Sequence, residues 1–175
     1  MTEEEDARRH LVLVGLMGAG KTTVGAACAT RLARPFVDTD DVVEANTGMT
    51  VAELFAHEGE GRFRELERQA VVDACATPAP AVIACGGGAV IDGDNRRRLH
   101  QAGFVVWLQA PPSTLMARVK TGAERPLLDG RGTATLERLA VVRAAAYEAT
   151  ADALVATDGL TVHEVVDAVL EVYRR

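Results

Sequence analysis

The sequence predicts a three-layer α/β/α fold built on a five-stranded parallel sheet. Five short apolar segments alternate with segments of helical periodicity along the chain, as expected for parallel strands joined by crossover helices. The strand segments are nearly continuous apolar runs, which is typical of strands buried on both faces. With 175 residues, of which 48% are hydrophobic, the chain is long enough for one such domain with a substantial core.

The first strand is separated from the first helix by a glycine-rich loop. The apolar run 11–14 leads into Gly15-Leu-Met-Gly-Ala-Gly-Lys-Thr22, which matches the pattern G-x-x-x-x-G-K-[ST]. In this pattern, backbone N–H groups surround phosphate oxygens, the lysine reaches the β- and γ-phosphates, and the hydroxyl binds magnesium. The loop therefore predicts a nucleotide site at Gly18, Ala19, Gly20, Lys21, Thr22 and Thr23.

Two carboxylates follow the second strand, which is predicted at 36–37. Asp38 and Asp40 are two residues apart, so strand alternation would place them on the same side. The carboxyl ends of parallel strands form the ligand-binding edge of the sheet, and the glycine loop lies at the same edge. We therefore expect both carboxylates beside the phosphates. The alternative for either one is a cap of the next helix, predicted at 41–46.

The segment 50–76 predicts two helices with a glycine break at 58–61. Thr50 and Glu53 have the spacing of a capping box at the start of the first helix. In the second helix, Arg64, Glu67 and Arg68 have the spacing of intrahelical ion pairs. This spacing favours an ion pair for Arg68. For Arg64 it leaves two roles open, an ion pair and a contact with a ligand.

Three glycines follow the third strand, which is predicted at 81–85. Gly86, Gly87 and Gly88 would expose successive backbone N–H groups to an anion, and a plain tight turn is the alternative.

The remaining segments predict a helix at 92–101, a strand at 104–108, helices at 113–120 and 133–149, a strand at 153–156 and a helix at 162–173. The polar, glycine-bearing segment 121–132 predicts a lid over the site.

Composition excludes several classes of function. The net charge of −6, without a basic stripe, argues against a nucleic-acid or membrane-surface partner. The acidic N-terminus resembles no signal peptide, and no apolar run is long enough to span a bilayer, so a cytoplasmic protein is expected. The three cysteines and four histidines have neither disulfide-framework nor zinc-site spacing.

A triphosphate cradle, magnesium ligands, paired carboxylates and separate arginines are the components of a phosphoryl-transfer site. A small hydroxylated anion as acceptor would explain both the arginines and the glycine run. Two alternatives stay open at this point. One is a kinase of the same fold whose acceptor is quinate, an aminoshikimate, gluconate or a cyclitol. The other is a nucleotide-dependent switch protein without an acceptor.

Five motifs together resemble the shikimate kinase family over nearly the whole chain. They are the glycine loop, Asp38-Thr-Asp40, the run from Gly59 to Glu67, Gly86-Gly-Gly88 and Arg125-Pro-Leu-Leu128. The resemblance implies the phosphorylation of the 3-hydroxyl of shikimate by ATP with Mg²⁺, on the route to chorismate and aromatic amino acids. It also implies a P-loop kinase fold related to nucleoside-monophosphate kinases. We expect a monomer whose single domain, 1–175, has a substrate-binding region at about 40–75 and a lid at about 119–132.

The resemblance also assigns roles to residues of this sequence. Lys21, Asp40 and Arg125 would be catalytic, and Thr22 and Asp38 would act on the metal. Arg118 would lie against the adenine, and Glu67 would steady the arginine that binds the substrate. The shikimate contacts would come from Asp40, Arg64, Gly86, Gly87, Gly88 and Arg143.

Overall fold

The computed structural model describes residues 9–120 and 132–175. Its strands are β1 (His10–Val14), β2 (Phe36–Asp38), β3 (Val82–Ala84), β4 (Gly103–Gln109) and β5 (Ala153–Ala156). They form one five-stranded sheet in the order β2-β3-β1-β4-β5, and every neighbouring pair is parallel. The predicted fold class is confirmed.

The helices fill the intervals between the strands. They are α1 (Lys21–Leu32), α2 (Thr39–Thr47), α3 (Val51–Cys75), α4 (Gly93–Ala102), α5 (Pro112–Lys120), α6 (Gly132–Glu148) and α7 (Val162–Tyr173), with a short 3-10 helix at Ala89–Ile91. Every residue of the central strand β1 is buried, as expected of a parallel strand covered on both faces. Among the described residues, no helix is long and apolar enough to cross a membrane.

Helices α2 and α3 form a small layer with an apolar cluster of their own. The cluster consists of Val43, Leu54, Phe63 and Ala70, separate from the main core around the sheet. This layer corresponds to the region predicted to bind the substrate, although the division of the chain into core, substrate region and lid stays a prediction. Most of the predicted lid, 121–131, lies outside the described residues.

The two helices predicted within 50–76 are both present within the span of α3, and the predicted glycine break separates them. Gly59 has φ 81° and ψ 172°, which interrupts the helical backbone and kinks α3 at this residue. The predicted capping box is confirmed, since the Glu53 backbone N–H donates to Thr50 Oγ1 at 3.2 Å and the Thr50 backbone N–H donates to Glu53 Oε2 at 2.8 Å.

His10 is a buried histidine whose protonation should couple folding to pH. Its Nδ1 accepts a hydrogen bond from the Ala81 backbone N–H at 3.0 Å, which requires an unprotonated nitrogen. Burial lowers the pKa of His10 below its ordinary value of 6.5. The unfolded chain therefore takes up a proton that the folded chain resists, and stability should fall as the pH drops below about 6.5.

We expect the unfolding free energy of the wild type to decrease between about pH 7.5 and about pH 5, measured by urea denaturation. His10→Gln removes the titrating group, so its own decrease over this interval should be smaller. Equal decreases in the two proteins would show that His10 does not contribute to the pH dependence.

Candidate active site

Two cavities open at the carboxyl ends of the strands and meet at three shared residues. The first has a volume of about 490 Å³ and the second of about 420 Å³. Both are lined by Thr22, Asp38 and Asp40. A ligand in one cavity can therefore approach a ligand in the other at this junction, which lies at the ligand-binding edge expected for a parallel sheet.

The second cavity is formed around the glycine loop. Gly18 and Gly20 have φ values of 80° and 93°, which residues other than glycine rarely adopt. Helix α1 begins at Lys21, directly after them. A helix N-terminus offers unpaired backbone N–H groups and a partial positive charge to an anion. Lys21 is buried and its Nζ donates to the Leu16 carbonyl oxygen at 3.0 Å, which holds the ammonium against the loop.

This cavity is also lined by Arg118, Leu160 and Val162. The Arg118 guanidinium donates to Thr157 Oγ1 at 2.9 Å and to the Thr157 carbonyl oxygen at 2.8 Å. Thr157 thus holds Arg118 in place at the cavity wall.

Thr22 and Asp38 form an oxygen-rich pair at the junction. Thr22 Oγ1 donates to Asp38 Oδ2 at 2.7 Å. Asp38 Oδ1 accepts from the Asp40 backbone N–H at 3.0 Å and caps α2, so the capping alternative also applies to this residue. Hydroxyl and carboxylate oxygens suit Mg²⁺, which typically takes one or two carboxylates and completes its shell with waters and substrate phosphates. The pair therefore fits a magnesium ion shared with a nucleotide.

Asp40 lies at the junction as expected, but the prediction that strand alternation places it there was wrong. Strand β2 ends at Asp38 and α2 begins at Thr39, so Asp40 is in the first helical turn and not in the strand. The buried Thr39 accepts a hydrogen bond from the Gly86 backbone N–H at 2.9 Å. Thr39 was missed because strand alternation placed it on the opposite side from the two carboxylates.

The glycine run after β3 makes space for charged side chains. A Cβ on Gly86 would lie 2.5 Å from Glu67 Oε1 and 2.7 Å from Asp40 Oδ1, and a Cβ on Gly88 would lie 2.6 Å from Arg64 Cζ. The Gly86 N–H is engaged by Thr39 and is not available to an anion. The predicted anion nest is therefore incomplete at its first position, and for Gly87 and Gly88 it stays a prediction.

Arg64 and Glu67 form a partly buried ion pair on the wall of the first cavity. Arg64 Nη1 donates to Glu67 Oε2 at 2.7 Å, and the Glu67 side chain is only 3% exposed. Burial raises the pKa of Glu67, and the positive charge of Arg64 opposes this shift. The pairing agrees with the role that the resemblance implies for Glu67.

Arg143 and Tyr147, one turn apart on α6, both bind the carbonyl oxygen of Gly87. Arg143 Nη1 donates to it at 3.0 Å and the Tyr147 hydroxyl at 2.5 Å. The Tyr147 side chain is buried, and its hydroxyl makes this contact from within the core. Within the described residues, the buried Nε–H of Arg143, a residue that lines the first cavity, has no hydrogen-bond partner.

Arg68, predicted to pair within its own helix, instead donates from Nε to Asp92 Oδ2 at 2.7 Å, which connects α3 to the N-cap of α4. Arg125, predicted to be catalytic, lies outside the described residues.

A protein of this fold, in which the cavity around a phosphate-binding loop meets another cavity lined by two arginines, is a P-loop kinase for a small anionic acceptor. The shikimate kinase family model matches residues 17–174, and the chain belongs to the shikimate kinase family.

Individual proteins support this assignment. A shikimate kinase of Symbiobacterium thermophilum is 47% identical over 165 residues, which cover 93% of this chain and 94% of the relative. The structure of a shikimate kinase from Acinetobacter baumannii in complex with shikimate matches with a TM-score of 0.91 at 33% identity, covering 98% of this chain and 96% of that chain. A gluconokinase from Sinorhizobium meliloti, with a TM-score of 0.58 at 16% identity and coverage of 95% and 92%, shares the fold alone. The chain is thus an ATP-dependent kinase, and phosphorylation of shikimate is the activity of its family.

Proposed function

We propose that this chain transfers the γ-phosphoryl group of ATP to the 3-hydroxyl of shikimate, giving shikimate 3-phosphate and ADP, with Mg²⁺ as the metal. The observation that carries the proposal is the junction of the two cavities at Thr22, Asp38 and Asp40. A phosphate loop lies on one side of this junction and two arginines lie on the other, as transfer between a nucleotide and an anionic alcohol requires.

On the donor side, the loop N–H groups and the N-terminus of α1 bind the phosphates of ATP. Lys21 neutralises charge that develops on the transferring group, and Arg118 supports the adenine. Thr22 and Asp38 hold Mg²⁺, which when bound neutralises charge on the β- and γ-phosphate oxygens. The nucleotide contacts come from Gly18, Ala19, Gly20, Lys21, Thr22, Thr23 and Arg118.

On the acceptor side, Arg64 and Arg143 bind the carboxylate of shikimate. Both line the first cavity together with Gly86, Gly87 and Gly88. Arg143 has a buried Nε–H without a partner in the described part of the chain, and Arg64 has further guanidinium N–H groups on the cavity wall. Charge-assisted bonds from two arginines discriminate in favour of an acid over a neutral cyclitol.

Asp40 orients the acceptor hydroxyl and accepts its proton. As the hydroxyl oxygen forms a bond to the γ-phosphorus, the bond from that phosphorus to the β–γ bridging oxygen breaks and ADP departs. The role of Arg125 in stabilising the transferring group stays a prediction, as do the monomeric state and the cytoplasmic location.

A panel of acceptors tests the proposed reaction. We expect ADP release from ATP and Mg²⁺ with shikimate, accompanied by a product of the mass of shikimate 3-phosphate. Quinate, gluconate and a cyclitol should give little or no release, and chelation of Mg²⁺ should abolish the activity with shikimate. ADP release with gluconate but none with shikimate would contradict the proposal, and undiminished activity after chelation would contradict the metal assignment.

A further inference from the structure

The guanidinium group of Arg64 lies between two carboxylates that differ in their access to solvent. Its Nη1 donates to Glu67 Oε2 at 2.7 Å. Its Nε and Nη2 donate to a single oxygen, Glu60 Oε1, at 3.3 Å and 3.1 Å. Glu60 therefore takes the Nε–Nη2 edge of the guanidinium, and Glu67 takes one N–H of Nη1.

An incoming carboxylate meets an arginine that two carboxylates already share. A bidentate arginine–carboxylate pair needs two parallel N–H groups along one edge, and Glu60 already uses both nitrogens of the Nε–Nη2 edge. The carboxylates of Glu60 and Glu67 also outnumber the single positive charge of Arg64. An anionic acceptor therefore competes for both the donors and the charge of this arginine.

Burial decides which partner yields. The side chain of Glu67 is 3% exposed and that of Glu60 is 60% exposed. Release of Glu67 would leave a buried carboxylate without its ion-pair partner, which is strongly unfavourable. Release of Glu60 returns an exposed carboxylate to water, and exposed ion pairs contribute little to stability.

The backbone around Glu60 also permits this release. Glu60 lies between Gly59 and Gly61, and a Cβ at either glycine would meet no atom within 4 Å. Glu60 follows directly after the kink of α3 at Gly59. Its side chain can therefore leave Arg64 without disturbing a packed surface.

We propose that Glu60 competes with the acceptor carboxylate for Arg64 and thereby sets the affinity of the enzyme for its acceptor. The inference rests on the proposed function, in which Arg64 binds the carboxylate of shikimate. Glu60 occupies Arg64 while the acceptor is absent and gives up the Nε–Nη2 edge when the acceptor binds. Glu67 keeps its bond throughout and holds the guanidinium in position.

The variant Glu60→Gln removes the charge of the competitor with almost no change in size. We expect its KM for shikimate to be about two- to fivefold lower than that of the wild type, the range that corresponds to an exposed ion pair. The kcat value and the KM for ATP should not change, because Glu60 contacts neither the nucleotide cavity nor the junction.

The chain offers a matched control in Glu58→Gln. Glu58 is on the same helix and pairs at 3.5 Å with Arg62, also four residues further along, and Arg62 does not line the acceptor cavity. This variant makes the same change in net charge, so its KM for shikimate should equal that of the wild type. An unchanged or raised KM in Glu60→Gln, or an equal decrease in Glu58→Gln, would overturn the proposal. Failure of the proposed function is a separate result, namely no shikimate-dependent ADP release by the wild type.

Discussion

Replacement of Asp40 by asparagine is expected to lower kcat with shikimate by about 10²- to 10⁴-fold, the usual contribution of a general base. The amide keeps the shape of the side chain at the junction of the two cavities but cannot accept the proton of the acceptor hydroxyl. The KM values for ATP and shikimate should change much less than kcat, because the phosphate loop and the two arginines are intact. Steady-state kinetics with both substrates varied would measure these effects.

Asp41→Asn is the matched control for this variant. Asp41 is the next residue of α2, and it lines the acceptor cavity but not the nucleotide cavity. The same chemical change at this position should leave kcat within about threefold of the wild type. If Asp40→Asn retained wild-type turnover, Asp40 would not be the base, and its role would reduce to binding.

The variant Lys21→Met is expected to lower kcat/KM for ATP by at least about 10²- to 10³-fold, since a preorganised positive charge at the transferring group is lost. Methionine retains much of the length and apolar character of the lysine side chain, so the loop should keep its fold. The loss should include turnover as well as ATP affinity, because the charge on the transferring group is largest in the transition state. Single-turnover rates and a nucleotide titration separate the two contributions.

Arg31→Met provides the control on the same helix. Arg31 is in the last turn of α1, and its half-exposed side chain pairs with Asp167 on α7, away from both cavities. This variant removes one positive charge from α1, as Lys21→Met does, and should retain wild-type kinetics. Turnover by Lys21→Met within about tenfold of the wild type would contradict the assigned role of the lysine.

Local sequence patterns were sufficient for much of the fold. The predicted strand 153–156 and the predicted helix 162–173 have the same bounds in the structure, and the capping box at Thr50 is present. These features depend on residues within a few positions of one another, such as an apolar run or a cap and its partner three residues later. The phosphate loop is likewise a local feature, because the groups expected to bind phosphate are consecutive backbone N–H groups.

Motif and resemblance supplied the candidate residues of the site, but they did not predict many of the partners of these residues. Thr39 binds the Gly86 N–H 47 residues away, Tyr147 binds the Gly87 carbonyl 60 residues away, and Arg68 pairs with Asp92 24 residues away. Such pairs depend on which elements become neighbours in space, and spacing along one helix or strand carries no information about that.

The sequence by itself determined the class of fold, the phosphate loop and the residue types available for the chemistry. The tertiary structure decided the strand order, the helical position of Asp40 and the reason for the glycine run. Side chains from α2 and α3 lie where Cβ atoms of Gly86 and Gly88 would be, so a larger residue at either position would displace these side chains. The physical reason is that short-range patterns specify local conformation, whereas close packing between distant segments is specified only when the whole chain has folded.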